Sequence, residues 1–597
     1  MFQSFENTAD PSQGPARLLA LRAKMAELGL DGFFVPRADA HQGEYVAPCD
    51  ERLAWLTGFT GSAGFAIALR ARAGVFIDGR YRNQVRDQVD LQVFEPVHWP
   101  EVTAATWLLD VLPEGGRIGY DAMLHSETEI RAMETALSER GIELVVCANL
   151  VDQIWDDRPE PPAPLVFAHP IEFSGKKDEE KLADLAAVMA SKGASHCVIT
   201  LPDSLSWLLN IRGKDVAHNP VVQGFLIVHA EDRLSLFADP AKFAALGPDP
   251  RIALRPTQEF LPALAALDGA VMVDPKSAPI AVLQTLQTAG LKIIRADDPC
   301  VLPKAIKNDV EIAGARQAHL IDGVALCEFL TWFEATAQAG ITEIDLVSEL
   351  ESQRRATGDL RDISFDTIAG SGPNGAVIHY RVSQATNRKL RYGDLVVLDS
   401  GGQYQMGTTD ITRTLAVGPV GTTEKEAFTR VLKGMITLSR ARFPKGLKGR
   451  DLDALARFPL WLAGLDYDHG TGHGVGSFLS VHEGPQRLSR AGDVTLEPGM
   501  ILSNEPGYYR DGAFGIRIEN LIVVREAPPL KGSDARDMLC FETLTYVPIE
   551  RDLIEADMLD RDERAWLNSY HETCAQKLAP SVSSAAKIWL KRKTAPL

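Results

Sequence analysis

The sequence predicts an α+β protein of three domains: two related α/β domains at residues 1–158 and 159–302, and a larger mixed domain at 303–597. Three observations predict it. A chain of 597 residues is long enough for three or four domains, each with its own core. An order of helix and strand signals in the first quarter recurs about 152 residues later. Beyond residue 302 the pattern changes to long helical stretches, then β-rich runs divided by Gly-rich turns.

In the first domain, Ala16 to Val35 has apolar residues at helical spacing, a stop at Gly29 and a short apolar strand. LAWLTGFTGSAGFAIAL and AGVFIDGRY read as paired strands, GRIGYDAML as a strand, RAMETALSERG as a helix and IELVVC as a strand. The acidic, Pro-rich DDRPEPPAP is a semi-rigid linker. KLADLAAVMASKGASHCVIT, LSWLLNIRG and GAVMVDPKS then repeat the order, with Trp55 matching Trp207 at an offset of 152 and Asp121 matching Asp274 at 153. An internal duplication follows. The third domain opens with one long amphipathic helix over PKAIKNDVEIAGARQAHLIDGVALCEFLTWFE and a second over TEIDLVSELESQRRATG. Its tail is helical and ends in a basic cluster, Lys587 to Lys593, read as a solvated helix end.

Composition narrows the function. A formal charge of −18 argues against nucleic-acid binding. Seven scattered cysteines without a CxxC read as reduced thiols in a cytoplasm. The N-terminal residues carry acidic side chains and no apolar core, unlike a signal peptide, and no apolar run reaches the ~18 residues of a membrane span.

The chemistry concentrates between Leu395 and Glu519. LVVLDSGGQYQMGTTDITRTLAV reads as a hairpin turning at Tyr404–Gln405, which sets Asp399 opposite Asp410. Like charges opposed in a sheet need a cation between them or an exposed rim. His473 in HGTGHGVG, Glu505 in LSNEPGYY and Glu519 in FGIRIENLIVV complete a set of four carboxylates and one imidazole. Such a hard donor set suits Mn(II) better than a structural zinc, and four carboxylates balance two divalent ions. Alone, each piece is ordinary turn chemistry; the order of all five carries the reading. Arg517 shares a face with Glu519 if GIRIENLIVV is one strand, and its guanidinium would then hold that carboxylate. HExxH, the phosphate-loop motif and GxSxG are absent, and GTGHGVG is no dinucleotide loop, because Val475 stands where GxGxxG needs glycine.

D-x10-D, GTGHGVG, EPG and IRIEN together resemble the metal-binding set of the pita-bread metallopeptidases, the family of methionine aminopeptidase, prolidase and aminopeptidase P. The resemblance implies a C-terminal pita-bread catalytic domain preceded by two creatinase N-terminal-like α/β domains. It also implies two divalent ions, most simply Mn(II), on Asp399, Asp410, His473, Glu505 and Glu519. His379, His469 and His482 match motif histidines that bind substrate and assist proton transfer, with Glu505 as the proton acceptor and Arg517 beside the substrate site. The two N-terminal domains, VHEGP and the WLNSYH tail look like the long, cytosolic-type aminopeptidase P. That implies an enzyme removing any N-terminal residue followed by proline through a hydroxide bridging the two metals, and working as a homodimer. A prolidase-type dipeptidase is the alternative, and a catalytically silent interaction scaffold a remote one.

Overall fold

The computed structural model describes residues 1–7, 9–231 and 233–597. The chain forms two compact units: residues 8–171 with 176–301, and residues 1–7 with 172–175 and 302–597.

The first unit is built on two six-stranded sheets. The helix Gly14–Glu27 buries Leu18, Leu21 and Met25, a stripe at helical spacing, and Gly29 behind it takes a φ of +64° that suits glycine. The strand Gly32–Pro36 is buried along its whole length, as a central strand covered on both faces should be. It lies between Phe65–Leu69 and Gly116–Tyr120; the full order runs Glu95–His98, Ala73–Ile77, Phe65–Leu69, Gly32–Pro36, Gly116–Tyr120, Ile142–Val146. The second sheet runs Ile252–Arg255, Arg233–Phe237, Phe225–His229, His196–Ile199, Ala270–Val273, Lys292–Arg295. Each strand has the counterpart's place, and each pair the counterpart's direction. LAWLT, expected to extend a strand, is instead the helix Arg52–Thr57, which Gly58 closes at φ +87°. Trp207 lies in the matching helix Pro202–Leu208.

The match extends to single hydrogen bonds. Asp121 and Asp274 each follow the fifth strand of their sheet, and each accepts the backbone N–H two residues on, from Met123 and Lys276, at 2.9 Å. Behind the sixth strands, Asn149 Oδ1 accepts from Val151 N at 3.0 Å and Asp298 Oδ1 from Cys300 N at 2.8 Å. Here the copies differ. Asn149 Nδ2 also donates to Asp121 at 3.2 Å, whereas Asp298 has only carboxyl oxygens, and burial pushes its carboxyl up to about 6.

In the second unit the expected single helix from Pro303 to Glu334 is two, Val301–Ala305 and Asp309–Thr336. Asn308 divides them because its side chain caps the second helix, accepting from Val310 N and Glu311 N while Glu311 reaches back to Asn308 N. With Glu343–Ala356, Thr422–Ser439, Gly449–Trp461 and Arg561–Leu578, this helix covers a three-stranded sheet (Ile368–Ser371, Leu395–Ser400, Ile411–Ala416) and a six-stranded one. The six-stranded sheet carries Gly472–Gly474, Ile501–Asn504 and Asn520–Glu526 at neighbouring positions. Lys593 is not solvated as expected: it is buried on Glu550 at 2.9 Å and Asp552 at 2.7 Å. All seven cysteines are free thiols, and among the described residues no helix is long and apolar enough to cross a membrane.

Candidate metal centre

Asp399 is the next-to-last residue of the strand Leu395–Ser400, and its cross-strand neighbour is Thr412, not the expected Asp410. Tyr404 pairs with Gly407, so the turn lies at Gln405–Met406 and the register moves by two residues. Gly407 lies against the long helix, where an added Cβ would be 3.2 Å from the Ala315 backbone. A shift of two keeps side-chain parity. Asp410 therefore sits diagonally from Asp399, and the two charges are near without being opposed. A buried anchor fixes the turn: Asp322 takes Arg354 Nε and Tyr404 Oη at 2.7 Å and Thr409 Oγ1 at 3.1 Å, and Arg354 Nη2 also reaches Ser400 Oγ at 3.1 Å.

His473 comes from Gly472–Gly474, which lies between Ile501–Asn504 and the edge strand Glu483–Leu488 of the larger sheet. Its neighbours are glycines for lack of room: a Cβ on Gly472 would stand 1.9 Å from Ser503 O. His473 Nδ1 donates to Gly474 O at 2.9 Å, which turns Nε2 toward the carboxylates, 3.4 Å from Asp410 Oδ2 and 3.5 Å from Glu505 Oε1. Glu505 N donates to Thr471 O at 2.8 Å, and Ser503 Oγ donates to Glu505 Oε1 at 3.0 Å. The run GIRIENLIVV breaks between Phe514–Arg517 and Asn520–Glu526, and Glu519 stands at the break. Its N–H and its Oε2 both bond Thr412, at 3.1 and 2.8 Å. Ligand atoms of Asp410, His473 and Glu519 all lie within 4.8 Å of one another.

The break also redirects Arg517. Its guanidinium holds Asp399 Oδ2 at 2.6 Å, not Glu519, and its other contacts are Tyr509 Oη at 2.6 Å, Thr412 Oγ1 at 3.3 Å and Ile378 O at 3.3 Å. The electrostatics are those of a site suited to a cation. Burial, then the charges of Asp410, Glu505 and Asp399, hold the Glu519 carboxyl well above its usual range. Burial also raises Asp399, and it pushes Glu505 up to about 6. Burial opposes charge on His473, yet Asp410 and Glu505 beside it overcome this and push it up to about 9. Asp399 Oδ1 and Glu519 Oε1 are buried without a hydrogen-bond donor. A buried carboxylate oxygen needs either a donor or a cation. The donor set thus fits divalent metal ions.

The expected histidines lie around this centre. His469 Nδ1 donates to Gly470 O at 2.7 Å, so Tyr509 Oη donates to its Nε2 at 2.9 Å and in turn accepts from Arg517. His482 packs its ring edge-to-face on His473, centroids 4.3 Å apart. His379 follows Ile378, whose carbonyl meets Arg517.

Comparison with known proteins places this architecture. The profile of Metallopeptidase family M24 matches residues 313–526, and its C-terminal region profile matches 537–597. The Creatinase/Prolidase N-terminal domain matches twice, at 17–154 and 157–311. Aminopeptidase P2 of Arabidopsis thaliana is 40% identical, with 97% of this chain and 88% of the relative covered. The chain belongs to metallopeptidase family M24. A probable Xaa-Pro aminopeptidase P of Aspergillus niger is 38% identical, with 99% of both chains covered. Among solved structures, the X-prolyl aminopeptidase of Caenorhabditis elegans, described as a cytosolic enzyme with a di-nuclear active site, superposes with a TM-score of 0.92 at 31% identity, covering 98% of this chain and all of that one.

Several residues that organise this M24 peptidase were not singled out in the sequence. Tyr509 had a findable signal: folding GYYRDGAFGIR about Gly512 pairs Gly507 with Arg517 and Tyr509 with Gly515, which sets Tyr509 diagonally beside Arg517. Glu343 had none. Its buried carboxylate takes Ser371 N, Asn374 Nδ2, Tyr380 Oη and Arg388 N, and so fastens the segment carrying His379. Glu483, next to His482, is enclosed with Lys304 at 3.0 Å and with Lys307.

Proposed function

We propose that this M24 peptidase removes the N-terminal residue from peptides whose second residue is proline, with two divalent ions held by Asp399, Asp410, His473, Glu505 and Glu519. Mn(II) is the ion that a mostly oxygen donor set favours. When bound, the ions supply Lewis acidity and an acidified water, the chemistry of a paired-metal hydrolase. The observations that carry the reading are the buried, donorless oxygens Asp399 Oδ1 and Glu519 Oε1 and the cluster that Asp410, His473 and Glu519 form.

The protein's own groups divide the remaining work. Glu505, steadied by Ser503, takes a proton from the attacking water and returns it to the leaving proline nitrogen. That nitrogen belongs to a tertiary amide with no N–H, so a peptidase for it must supply a proton without relying on that donor. Arg517 keeps Asp399 ionised and oriented. Gly470 O and Tyr509 Oη hold the His469 ring in place, and His469 is assigned to the charge that develops on the scissile carbonyl. His379 and His482 form the proline side, where an imidazole can pack on the ring and exchange a proton near neutral pH.

The duplicated sheets and the two N-terminal profile matches support three domains at 1–158, 159–302 and 303–597. Seven free thiols support a cytoplasmic enzyme. The exposed apolar side chains Leu455, Phe458, Trp461 and Leu462, on and just after one helix, support self-association as a homodimer.

The deciding experiment is cleavage of Arg-Pro-Pro, Gly-Pro and an X-Ala control by metal-stripped protein resupplied with Mn(II), read by mass spectrometry. The expected product is arginine released from the tripeptide, only when metal is present. Cleavage confined to the dipeptide would make the enzyme a prolidase. Full activity after verified metal removal would overturn the metal assignment.

A further inference from the structure

The first seven residues belong to the unit that carries the metal centre, although nearly three hundred residues separate them from it in sequence. Their attachment is specific. Phe2 N donates to both carboxylate oxygens of Glu351 at 2.9 Å, and the Phe2 ring lies 5.3 Å from the guanidinium of Arg355. Gln3 is 4% exposed and pairs like a strand residue: its Nε2 donates to Thr367 O at 3.3 Å, and its Oε1 accepts from Thr367 N at 2.8 Å. Ser4 O accepts from Arg381 Nη2 at 3.3 Å, and Phe5 O accepts from Gln384 N at 2.9 Å. The Phe5 ring is half-buried against the main core of the unit.

These contacts fall on the two ends of one segment. Thr367 directly precedes the strand Ile368–Ser371, whose Ile368 pairs with Asp399. Arg381 and Gln384 follow His379 by two and five residues. Between the ends lie a 3-10 turn at Gly372–Ala376 and the irregular stretch holding His379. Gln3 meets the entry to this segment and Phe5 its exit. Arg381 also pairs with Asp366 at 2.7 Å, which joins the two ends directly. A loop held at both ends keeps fewer conformations than one held at its base alone.

We propose that residues 2–5 are a strap that sets the position of His379, and thereby the fit of the proline ring. Gln3 and Phe5 are positioning residues, since neither touches the reacting atoms. The proposal rests on the reading of His379 as a wall of the proline site. It follows that selectivity depends on the chain's own N-terminal arm, and that loosening the arm relaxes selectivity before it removes the metals.

The test deletes residues 2–7 from the full chain, in parallel with the point variants Gln3→Ala and Phe5→Ala, and measures Mn(II) content and steady-state kinetics on Arg-Pro-Pro and on an X-Ala control. The expected result is two bound ions and a kcat/KM on Arg-Pro-Pro lower by about 10- to 100-fold, the cost of displacing a positioning group by up to an ångström. The loss should be carried mainly by KM, with a smaller change on the control. A synthetic peptide of residues 1–7, which has no proline to make it a substrate, should restore proline selectivity to the deleted enzyme. Selectivity unchanged in the Gln3 and Phe5 variants, or a loss that follows the metal content and that the peptide does not reverse, overturns the strap. His379→Ala in the intact chain separates the two readings. If that variant loses selectivity and the arm variants do not, the strap alone falls; if His379→Ala is neutral, the assignment of the proline wall falls with it.

Discussion

Replacing Tyr509 by phenylalanine removes one oxygen and leaves the ring in place. That oxygen joins the buried guanidinium of Arg517, 2.6 Å away, to His469 Nε2, 2.9 Å away. The first bond involves a charged group and contributes about 1.5–3 kcal/mol. Arg517 keeps Asp399 at 2.6 Å and Ile378 O at 3.3 Å, so the guanidinium is not stranded and Asp399 stays held. The loss should thus fall on His469, whose Nε2 would be left without its donor. At about 1.4 kcal/mol per tenfold, kcat/KM should drop by about 10- to 100-fold. If His469 acts on charge that develops only in the transition state, kcat should carry most of the drop and KM little. The assay is steady-state hydrolysis of Arg-Pro-Pro with metal content measured on the same samples. A change under about twofold would mean that the chain from Arg517 to His469 does not matter for turnover. A loss matched by departure of metal would mean that Tyr509 acts through Asp399 instead.

Three further outcomes are expected. Asp410→Asn should bind fewer than two Mn(II) by elemental analysis and lose roughly three orders of magnitude in turnover, because three carboxylates no longer balance two divalent ions. Asp298→Asn should stabilise the first unit above pH 6 and leave it unchanged near pH 4. The carboxyl rises from 3.8 unfolded to about 6 folded, so the stability it gives is complete below the unfolded value and is lost as pH rises through 6, a difference of about 3 kcal/mol that the amide of Asn149 avoids in the other copy. Calorimetry from pH 4 to 8 checks it, and a pH-independent difference would contradict it. Leu462→Glu, at a side chain 74% exposed on the apolar face, should convert a dimer to a monomer by light scattering with its metals retained.

Much of the candidate centre is legible in the sequence because ligand chemistry leaves few substitutes: Asp399, Asp410, His473, Glu505 and Glu519 read as one set, and the fold brings Asp410, His473 and Glu519 within reach of one another. The duplication was legible for a similar reason, since Trp55 and Asp121 do local structural work that Trp207 and Asp274 repeat. Register was less legible. The turn lies one residue beyond the centre that the sequence suggests, and the strand pairing shifts by two, because the hairpin carries a second short pair, Gly402–Tyr404 with Gly407–Thr408, tucked against a helix that the local sequence does not reveal. Arg517 meets Asp399 and not Glu519 because parity along one strand ignores a break, and Ile518–Glu519 is a break. Long-range partners such as Glu343 and Glu351 carry no local signal: a glutamate in the first or third turn of an amphipathic helix looks solvated until the segment that covers it is known.

Arg413 is fully enclosed, and among its described partners are Glu519 O and Asn520 Oδ1 on one side and Val547 O and Tyr570 Oη on the other, all within 2.9 Å. A single guanidinium thus joins Glu519 and Asn520 to Val547 and to Tyr570, which comes about fifty residues further on. During synthesis the sheets of the first unit emerge early and can fold while the rest of the chain is still being made. The catalytic strand has no such opportunity, because its clasp waits for Tyr570 to clear the ribosome. A nascent chain that already displays His473, Glu505 and Glu519 therefore lacks part of the fastening around them until Tyr570 has been made.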